Sequence, residues 1–242
     1  MAIDIDLFHF QLRDLETTRL HLEGSVRRLK VSGELKGFCG LFTATPEILG
    51  PPEENALEPE ARTEARTERR LREMLARMSY VFGIACLDHL LEGCVRGVFQ
   101  AQPQRVLDIG DWWWRDGDLV RRQVVEGWSR DQVIAKLVES AVQNFGKQPF
   151  PEIPKYFEKR LDVPWAREWR EDLLRIVETR NRAAHALDFR EPAADELTAD
   201  VDTILRHGEA IARAVAAKHG LPLRSATIDK ERSECLEDDE GV

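Results

Sequence analysis

The stretch LREMLARMSYVFGIACLDHLLEGCV, residues 71–95, predicts the central core helix of this protein. Apolar side chains recur there every three or four residues, which is the period of an α-helix, and no proline interrupts them. Upstream, residues 60–70 (EARTEARTERR) predict a charged, solvated part of the same helix. The apolar residues that we expect to be buried are Leu71, Met74, Leu75, Met78, Val81, Phe82, Ala85, Leu87, Leu90, Leu91 and Val95.

The rest of the chain alternates between helical periods and breaks rich in proline and glycine. Residues 40–57 and 146–154 are such breaks, because helix interiors do not tolerate their prolines. Gly220, with Pro222 beyond it, is a clear helix stop. A strand is expected at most over residues 105–109. Helices are predicted over 4–31, 118–127, 130–145 (starting after Ser129), 154–161, from about Pro164 to the segment 180–185, and 194–219.

The helix over residues 4–31 is predicted to be amphipathic. Its apolar residues recur at steps of mostly three to five positions and define the face that we expect to pack: Leu7, Phe10, Leu15, Leu20, Leu22, Val26 and Leu29.

These patterns predict an all-α protein, a helical bundle with an N-terminal helical extension. Residues 1–57 form the extension, a helix followed by a proline-rich loop, and residues 58–222 form the main helical domain. Residues 223–242 are polar, acidic and without a period, so we expect a disordered tail. At 242 residues, 43% of them hydrophobic, the chain can bury a core without disulfides or metals.

Charge is unevenly placed along the chain. The net charge of −9 argues against a general nucleic-acid coat. Residues 225–242 hold seven acidic side chains against two basic ones, whereas residues 155–190 hold nine basic and seven acidic ones. The second segment is therefore locally basic, which permits binding to RNA without establishing it.

Several functional classes lack their sequence signals. The start of the chain does not resemble a secretory signal, and we find no uninterrupted apolar run of about 20 residues, so a cytoplasmic protein without a membrane is expected. CxxC and HExxH motifs, GxSxG elbows and phosphate loops are absent, so we predict no metal site and no cofactor. Residues 106–110 (VLDIG) resemble the first motif of methyltransferases, but tryptophans at 112–114 follow in place of glycines. We favour a loop packed with tryptophan there.

The segment RNRAAH, residues 180–185, concentrates chemistry that suits phosphodiester cleavage. On a helix, Asn181 and His185 share a face, and Arg180 lies about 140° from His185 at roughly 100° per residue. A long guanidinium stem can bend back, so the three polar ends can converge. Histidine can move the proton of a ribose 2′-OH or of the leaving 5′-oxygen, and arginine can stabilise charge on the phosphate. Asparagine can fix the imidazole tautomer or the substrate.

This pattern of arginine, asparagine, a short gap and histidine, late in a helix of an α-bundle, resembles the HEPN superfamily. The family's motif has four to six residues between arginine and histidine, as between Arg180 and His185 here. The sequence that precedes the motif, from Tyr156 through residues 163–165 (VPW) and 173–174 (LL), is also similar to that of HEPN proteins, particularly to members grouped with phage-defence systems. The core helix 71–98 would match the family's first core helix, and the resemblance covers about residues 66–219.

The resemblance implies a metal-independent endoribonuclease that leaves a 2′,3′-cyclic phosphate. It implies catalytic roles for Arg180 and His185, with Asn181 in support. Arg182, at a variable position of the motif, and Arg190, from the locally basic stretch, are candidate RNA contacts. The resemblance further implies a homodimer with a composite active site, a toxin or antiviral defence setting, and an antitoxin or defence-system partner. In the toxin branch that is modified by a nucleotidyltransferase, a tyrosine follows the histidine by two positions; Leu187 stands there, so regulation by adenylylation is not supported.

Two other interpretations remain open. The chain could be a non-catalytic HEPN-like module for dimerisation or nucleotide binding. Alternatively, the cluster of arginine, asparagine and histidine could simply cap the C-terminus of a helix, where positive charge is favourable.

Overall fold

The computed structural model describes residues 2–32, 57–107, 127–185, 189 and 192–224, and these residues are almost entirely helical. The predicted all-α class is confirmed. The helices are α1 (Ile5–Ser32), α2 (Pro59–Ala101), α3 (Pro103–Leu107), α4 (Arg130–Phe145), α5 (Ile153–Tyr156), α6 (Arg167–His185) and α7 (Ala194–His219). A 3₁₀ turn, Phe150–Glu152, precedes α5, and a π turn, Phe157–Leu161, follows it. A short parallel pairing joins β1 (Ile3–Asp4) to β2 (Leu223–Arg224).

The long helix α2 is the centre of the bundle, and α1, α4, α6 and α7 all pack against it. Its C-terminal half is the most deeply buried part, with Leu87, Leu91, Cys94, Val95 and Val98 out of contact with solvent. By length and mean hydropathy Ala61–Ala101 could also cross a membrane, yet half of the apolar window is buried inside the protein. The core helix of a folded bundle can have the same length and mean hydropathy as a helix that spans a membrane.

One part of the burial prediction for α2 is wrong. Leu75, Leu87, Leu90, Leu91 and Val95 are buried as expected. On another side of the helix, however, Met74, Met78, Phe82 and Ala85 are exposed, with 51% of Phe82 accessible. The helix is apolar around more of its circumference than its neighbours cover, and periodicity does not tell which apolar face gains a partner.

The predicted face of α1 is wrong in part. Val26 is buried and Leu15 packs against the core as expected, whereas Leu7, Phe10, Leu20 and Leu22 are exposed. The other residues that pack into the core are Ile5, Phe8, His9, Leu12 and Arg19. The guanidinium of Arg19 pairs with Glu16 and Glu23, and its Nη2 donates to Thr198 Oγ1 on α7 at 2.9 Å. Through these contacts α1 shares the core of α2 and α7.

The predicted loop over 146–154 is wrong in its second half, where residues 150–154 are helical, because proline is accepted in the first turn of a helix. The helix expected from about Pro164 begins three residues later, at Arg167. Local end signals predict two other helices well. The observed bounds of α4 and α7 match those predicted. Ser129 and Gln132 form a capping box at the start of α4. Gly220 ends α7 in the left-handed conformation, at φ 63°, which glycine adopts at little cost.

The strand suggested for residues 105–109 is wrong where it can be checked, because residues 105–107 belong to α3. Leu223 and Arg224, assigned to the tail, pair with β1 instead. The following predictions lie outside the described residues: the loop at 40–57 apart from residue 57, the helix over 118–127 apart from residue 127, which forms a turn, the tryptophans at 112–114 and the tail from 225.

A buried carboxylate joins three helices. Asp200 on α7 is 3% exposed; its Oδ2 accepts from the Tyr80 hydroxyl of α2 at 2.8 Å, and its Oδ1 accepts from Arg175 Nη2 of α6 at 2.5 Å. Burial and the neighbouring Asp200 raise the pKa of Tyr80 above its ordinary value. A buried carboxylate is tolerated only when it is paired and hydrogen-bonded, so this contact sets how α6 and α7 lie on α2.

We expect Asp200→Ala to lower the free energy of unfolding by about 1–3 kcal/mol, because it leaves the buried Tyr80 hydroxyl without a partner while the half-exposed Arg175 can turn to water. Urea unfolding followed by circular dichroism measures this. The matched control is Asp202→Ala, two residues further along α7 and exposed, for which we expect a change within about 0.5 kcal/mol. Equal effects of the two variants would contradict the role of Asp200.

Candidate functional site

The segment predicted to carry the chemistry lies in the last turns of α6. Leu173 and Ile176 bury the preceding turns of this helix in the core. The final turn is held to α2 by Arg77, whose Nη1 donates to the backbone oxygen of Ala183 at 2.6 Å. The Arg77 guanidinium also lies 4.9 Å from the ring centre of Phe189. The end of α6 is therefore anchored, and the polar side chains beside it start from a fixed backbone.

A cavity of about 370 Å³ opens where α2 and α6 meet the turn between α4 and α5. From α2 come Ile84, Asp88 and Glu92, spaced one helical turn apart. From α6 come Leu174, Val177, Glu178, Arg180 and Asn181. The remaining wall is the segment from Phe145 to Ile153, which includes Phe150. The cavity thus has apolar walls and a small set of polar groups, as binding sites for small molecules do.

Arg180 is half-buried at this cavity. Its Nη1 donates to Asn181 Oδ1 at 3.0 Å. Its Nε is buried and finds no acceptor among the described residues. A buried donor without a partner is unfavourable by about 1–3 kcal/mol, so the guanidinium is incompletely satisfied in the free protein.

Asp88 faces the same cavity and was missed by the sequence analysis. Desolvation by the surrounding walls raises the pKa of its carboxyl to about 6; Arg180 opposes that rise and Glu92 adds to it. The residue as a whole is exposed at the cavity mouth, while its carboxyl lies against the cavity walls. A carboxyl that exchanges its proton near neutral pH is typical of functional sites. The available signal was an acidic pair, Asp88 and Glu92, four residues apart inside an apolar helix.

The structure brings Arg180 and Asn181 to the cavity but does not bring His185 there. His185 is exposed and is the last residue of α6, one turn beyond Asn181. Arg182 is exposed as well, and its Nη2 donates to Thr179 Oγ1 at 3.2 Å. Arg190 lies outside the described residues. The motif therefore divides into an inner part at the cavity, Arg180 and Asn181, and an outer part at the helix end, Arg182 and His185.

The inner and outer parts differ in charge. Asp88, Glu92 and Glu178 bring three carboxyl groups to the cavity, against the single guanidinium of Arg180. The outer part carries Arg182 and His185 at the C-terminus of α6, where the helix dipole favours cations. A phosphate group is therefore better accommodated outside the cavity, between Arg180 and the helix end, than within it.

A metal site is not apparent in the described part of the chain, where no group of three or more histidine, cysteine, aspartate or glutamate side chains is placed to hold an ion. No protein-family model, curated protein or solved structure shows a significant match to the chain. The resemblance to HEPN proteins thus rests on the motif and its place on α6.

The raised pKa of Asp88 predicts an effect on stability. The folded state holds this proton more tightly than the unfolded state does, so charging the carboxyl above pH 6 opposes folding. We expect Asp88→Asn, which mimics the neutral form, to raise the melting temperature at pH 8. The gain should shrink as the pH falls through 6 and vanish below the ordinary carboxyl pKa of 3.8.

Thermal unfolding between pH 4 and pH 8 measures that difference. Asp202→Asn, at an exposed position of α7, is the control. A gain for Asp88→Asn that is the same at every pH, or a loss at pH 8, would contradict the desolvation of Asp88.

Proposed function

We propose that this protein is an endoribonuclease that cleaves RNA through Arg180 and His185. The observation that supports the proposal is the state of Arg180: Asn181 holds its guanidinium at the rim of a cavity, its Nε lacks an acceptor, and His185 is exposed one turn away. An incompletely satisfied arginine beside an accessible imidazole suits a negatively charged substrate that arrives from solvent.

The proposed reaction is attack of a ribose 2′-oxygen on the adjacent phosphorus. The new bond joins the 2′-oxygen to phosphorus, and the bond from phosphorus to the 5′-oxygen breaks, which leaves a 2′,3′-cyclic phosphate and a free 5′-hydroxyl. His185 accepts the 2′-OH proton, and Arg180 stabilises the charge that develops on the phosphate oxygens. The hydrogen bond to Arg180 assigns Asn181 the role of orienting the guanidinium rather than the imidazole.

The second proton transfer, to the leaving 5′-oxygen, needs another acid. The resemblance to HEPN proteins supplies one in a homodimer, where His185 of a second copy faces the same phosphate. The exposed apolar face of α2, formed by Met74, Met78 and Phe82, is the surface that we assign to the dimer contact. Exposed apolar patches of this kind commonly mark interfaces between proteins.

The setting that we propose is cytoplasmic, as a toxin or antiviral defence effector kept in check by an antitoxin or a partner of the same system. The role as a toxin or defence effector and its partner rest on the resemblance alone.

A second candidate function is a non-catalytic module that binds nucleotides. One observation favours it: His185 does not line the cavity, which therefore lacks the proposed proton acceptor. In this case the cavity would bind a ligand that no reaction consumes.

Cleavage assays separate the two functions. We expect purified protein to cut single-stranded RNA in EDTA, and Arg180→Ala or His185→Ala to slow cleavage by about 10²- to 10⁴-fold, the usual contribution of a positioned acid or base. Arg167→Ala, at the far end of α6, and His21→Ala, exposed on α1, are the matched controls and should retain activity. Mass spectrometry of the product ends should show 2′,3′-cyclic phosphate. Activity that disappears on chelation, or survives in His185→Ala, would refute this mechanism.

The dimer has its own test. Light scattering should report about twice the chain mass of 27.8 kDa. The double variant Met78→Glu/Phe82→Glu should be monomeric and inactive, because two carboxylates on the apolar face oppose its burial. The control is Phe10→Glu/Leu20→Glu on the exposed side of α1, which should remain dimeric. A parent protein that cleaves RNA as a monomer would rule out the composite site.

A further inference from the structure

The cavity between α2, α6 and the α4–α5 turn contains more chemistry than cleavage of a phosphodiester requires. His185 lies outside it, and the proposed reaction uses only the guanidinium at its rim. The side-chain oxygens of Asp88, Glu92 and Glu178 accept no hydrogen bond from the part of the chain that the structure describes. Three unengaged acceptors in a cavity with apolar walls fit a ligand that has flat apolar faces and N–H donors at its edge.

Glu92 lies against the turn that follows α4. A Cβ atom added to Gly146 would lie 2.3 Å from Glu92 Oε1, so a larger residue there would displace the end of this flexible side chain. Gly146 has φ −61°, a conformation open to any residue, so the glycine matters here for the space that it leaves beside Glu92. Arg96, one turn further along α2, pairs with Glu139 of α4, which leaves Glu92 available.

Asn181 supplies the complementary donor. Its Oδ1 already accepts from Arg180, so its amide NH₂ group remains to donate at the cavity wall. Phe145 and Phe150, both buried, add apolar surface to the same walls. Splayed-out bases of single-stranded RNA are bound through apolar contact with their faces and hydrogen bonds to their edges.

We propose that this cavity is a guanine-specific subsite, in which Glu92 accepts from N1–H and the 2-amino group and Asn181 donates to O6. The inference rests on the proposed ribonuclease function in one respect only, namely that the bound guanine belongs to a nucleotide next to the cleaved phosphate. Guanine alone among the RNA bases presents two neighbouring donors beside an acceptor. Uracil would set a carbonyl oxygen against the carboxylates, and adenine offers Glu92 one donor group, its 6-amino group, where guanine offers two.

The first test is binding of the four nucleoside 5′-monophosphates to the full chain, measured by calorimetry. We expect GMP to bind more tightly than AMP, CMP and UMP. Glu92→Gln should weaken GMP binding on the order of 10- to 100-fold, as loss of a bidentate base contact does. The control Glu168→Gln removes an exposed carboxyl from the same helix as Asn181, away from the cavity, and should leave binding unchanged.

A pair of glycine variants tests the position of Glu92 without removing it. Gly146→Ala places a methyl group against the carboxyl and should weaken GMP binding, whereas Gly93→Ala adds a methyl group into open space one residue from Glu92 and should not. Circular dichroism checks that both remain folded. Equal GMP binding by the two variants would contradict the placement of Glu92.

The second test is the distribution of cut sites in an RNA of mixed sequence. Cuts should cluster beside guanosines in the parent protein and spread to other positions in Glu92→Gln. GMP binding without any RNA cleavage would support the subsite and refute the proposed ribonuclease. Cleavage without preference for guanosine and without GMP binding would support the proposed ribonuclease and refute the subsite. Absence of both binding and cleavage would overturn both proposals.

Discussion

A buried carboxylate that must find donors constrains the whole bundle. Asp200 accepts from Tyr80 of α2 and from Arg175 of α6, and it lies on α7 itself. A shift of any of these helices by one turn, about 5.4 Å, would leave a charge without a partner inside the protein. Apolar contacts along the same helices are less selective, since Leu and Ile side chains pack acceptably in several registers. The placement of Arg180, five residues after Arg175 on one helix, follows from this polar contact.

Sequence patterns predicted the helices with more success than their packing. The bounds of α4 and α7 could be predicted because Ser129 and Gly220 act locally, through a capping box and a left-handed turn. The buried faces of α1 and α2 could not, because both helices carry apolar side chains on more than one side. Phe8 is buried and Phe10 is exposed, although both follow the helical period equally well. The pairing of β1 with β2 has no local signal, since it joins residues that are 220 positions apart.

The candidate site could be predicted in part, because its motif is local in sequence whereas its cavity is not. Arg180, Asn181 and His185 form a compact motif, and helical geometry orders them correctly around α6. The geometry of α6 alone does not predict the cavity, because its other walls come from α2 and from the turn at Gly146. The convergence that we predicted for the three side chains therefore holds for Arg180 and Asn181, while His185 lies at the helix end. Asp88 and Glu92 were overlooked because they lie within residues 71–95, where the apolar residues alone were used to predict a core helix.

The packing of α1 also has a consequence for how the chain folds during translation. This helix packs on α2 and on α7, and its partners on α7 come late in the chain, as in the contact of His9 with Glu209, two hundred residues later. At about 5–20 residues per second, α1 leaves the ribosome roughly 10–40 s before α7 exists. During that time the part of the apolar surface of α1 that packs on α7 stays uncovered, so the nascent chain presents apolar side chains that chaperones can bind. Asp200 is translated after Arg180, so the helix that bears the motif is locked in place only near the end of translation.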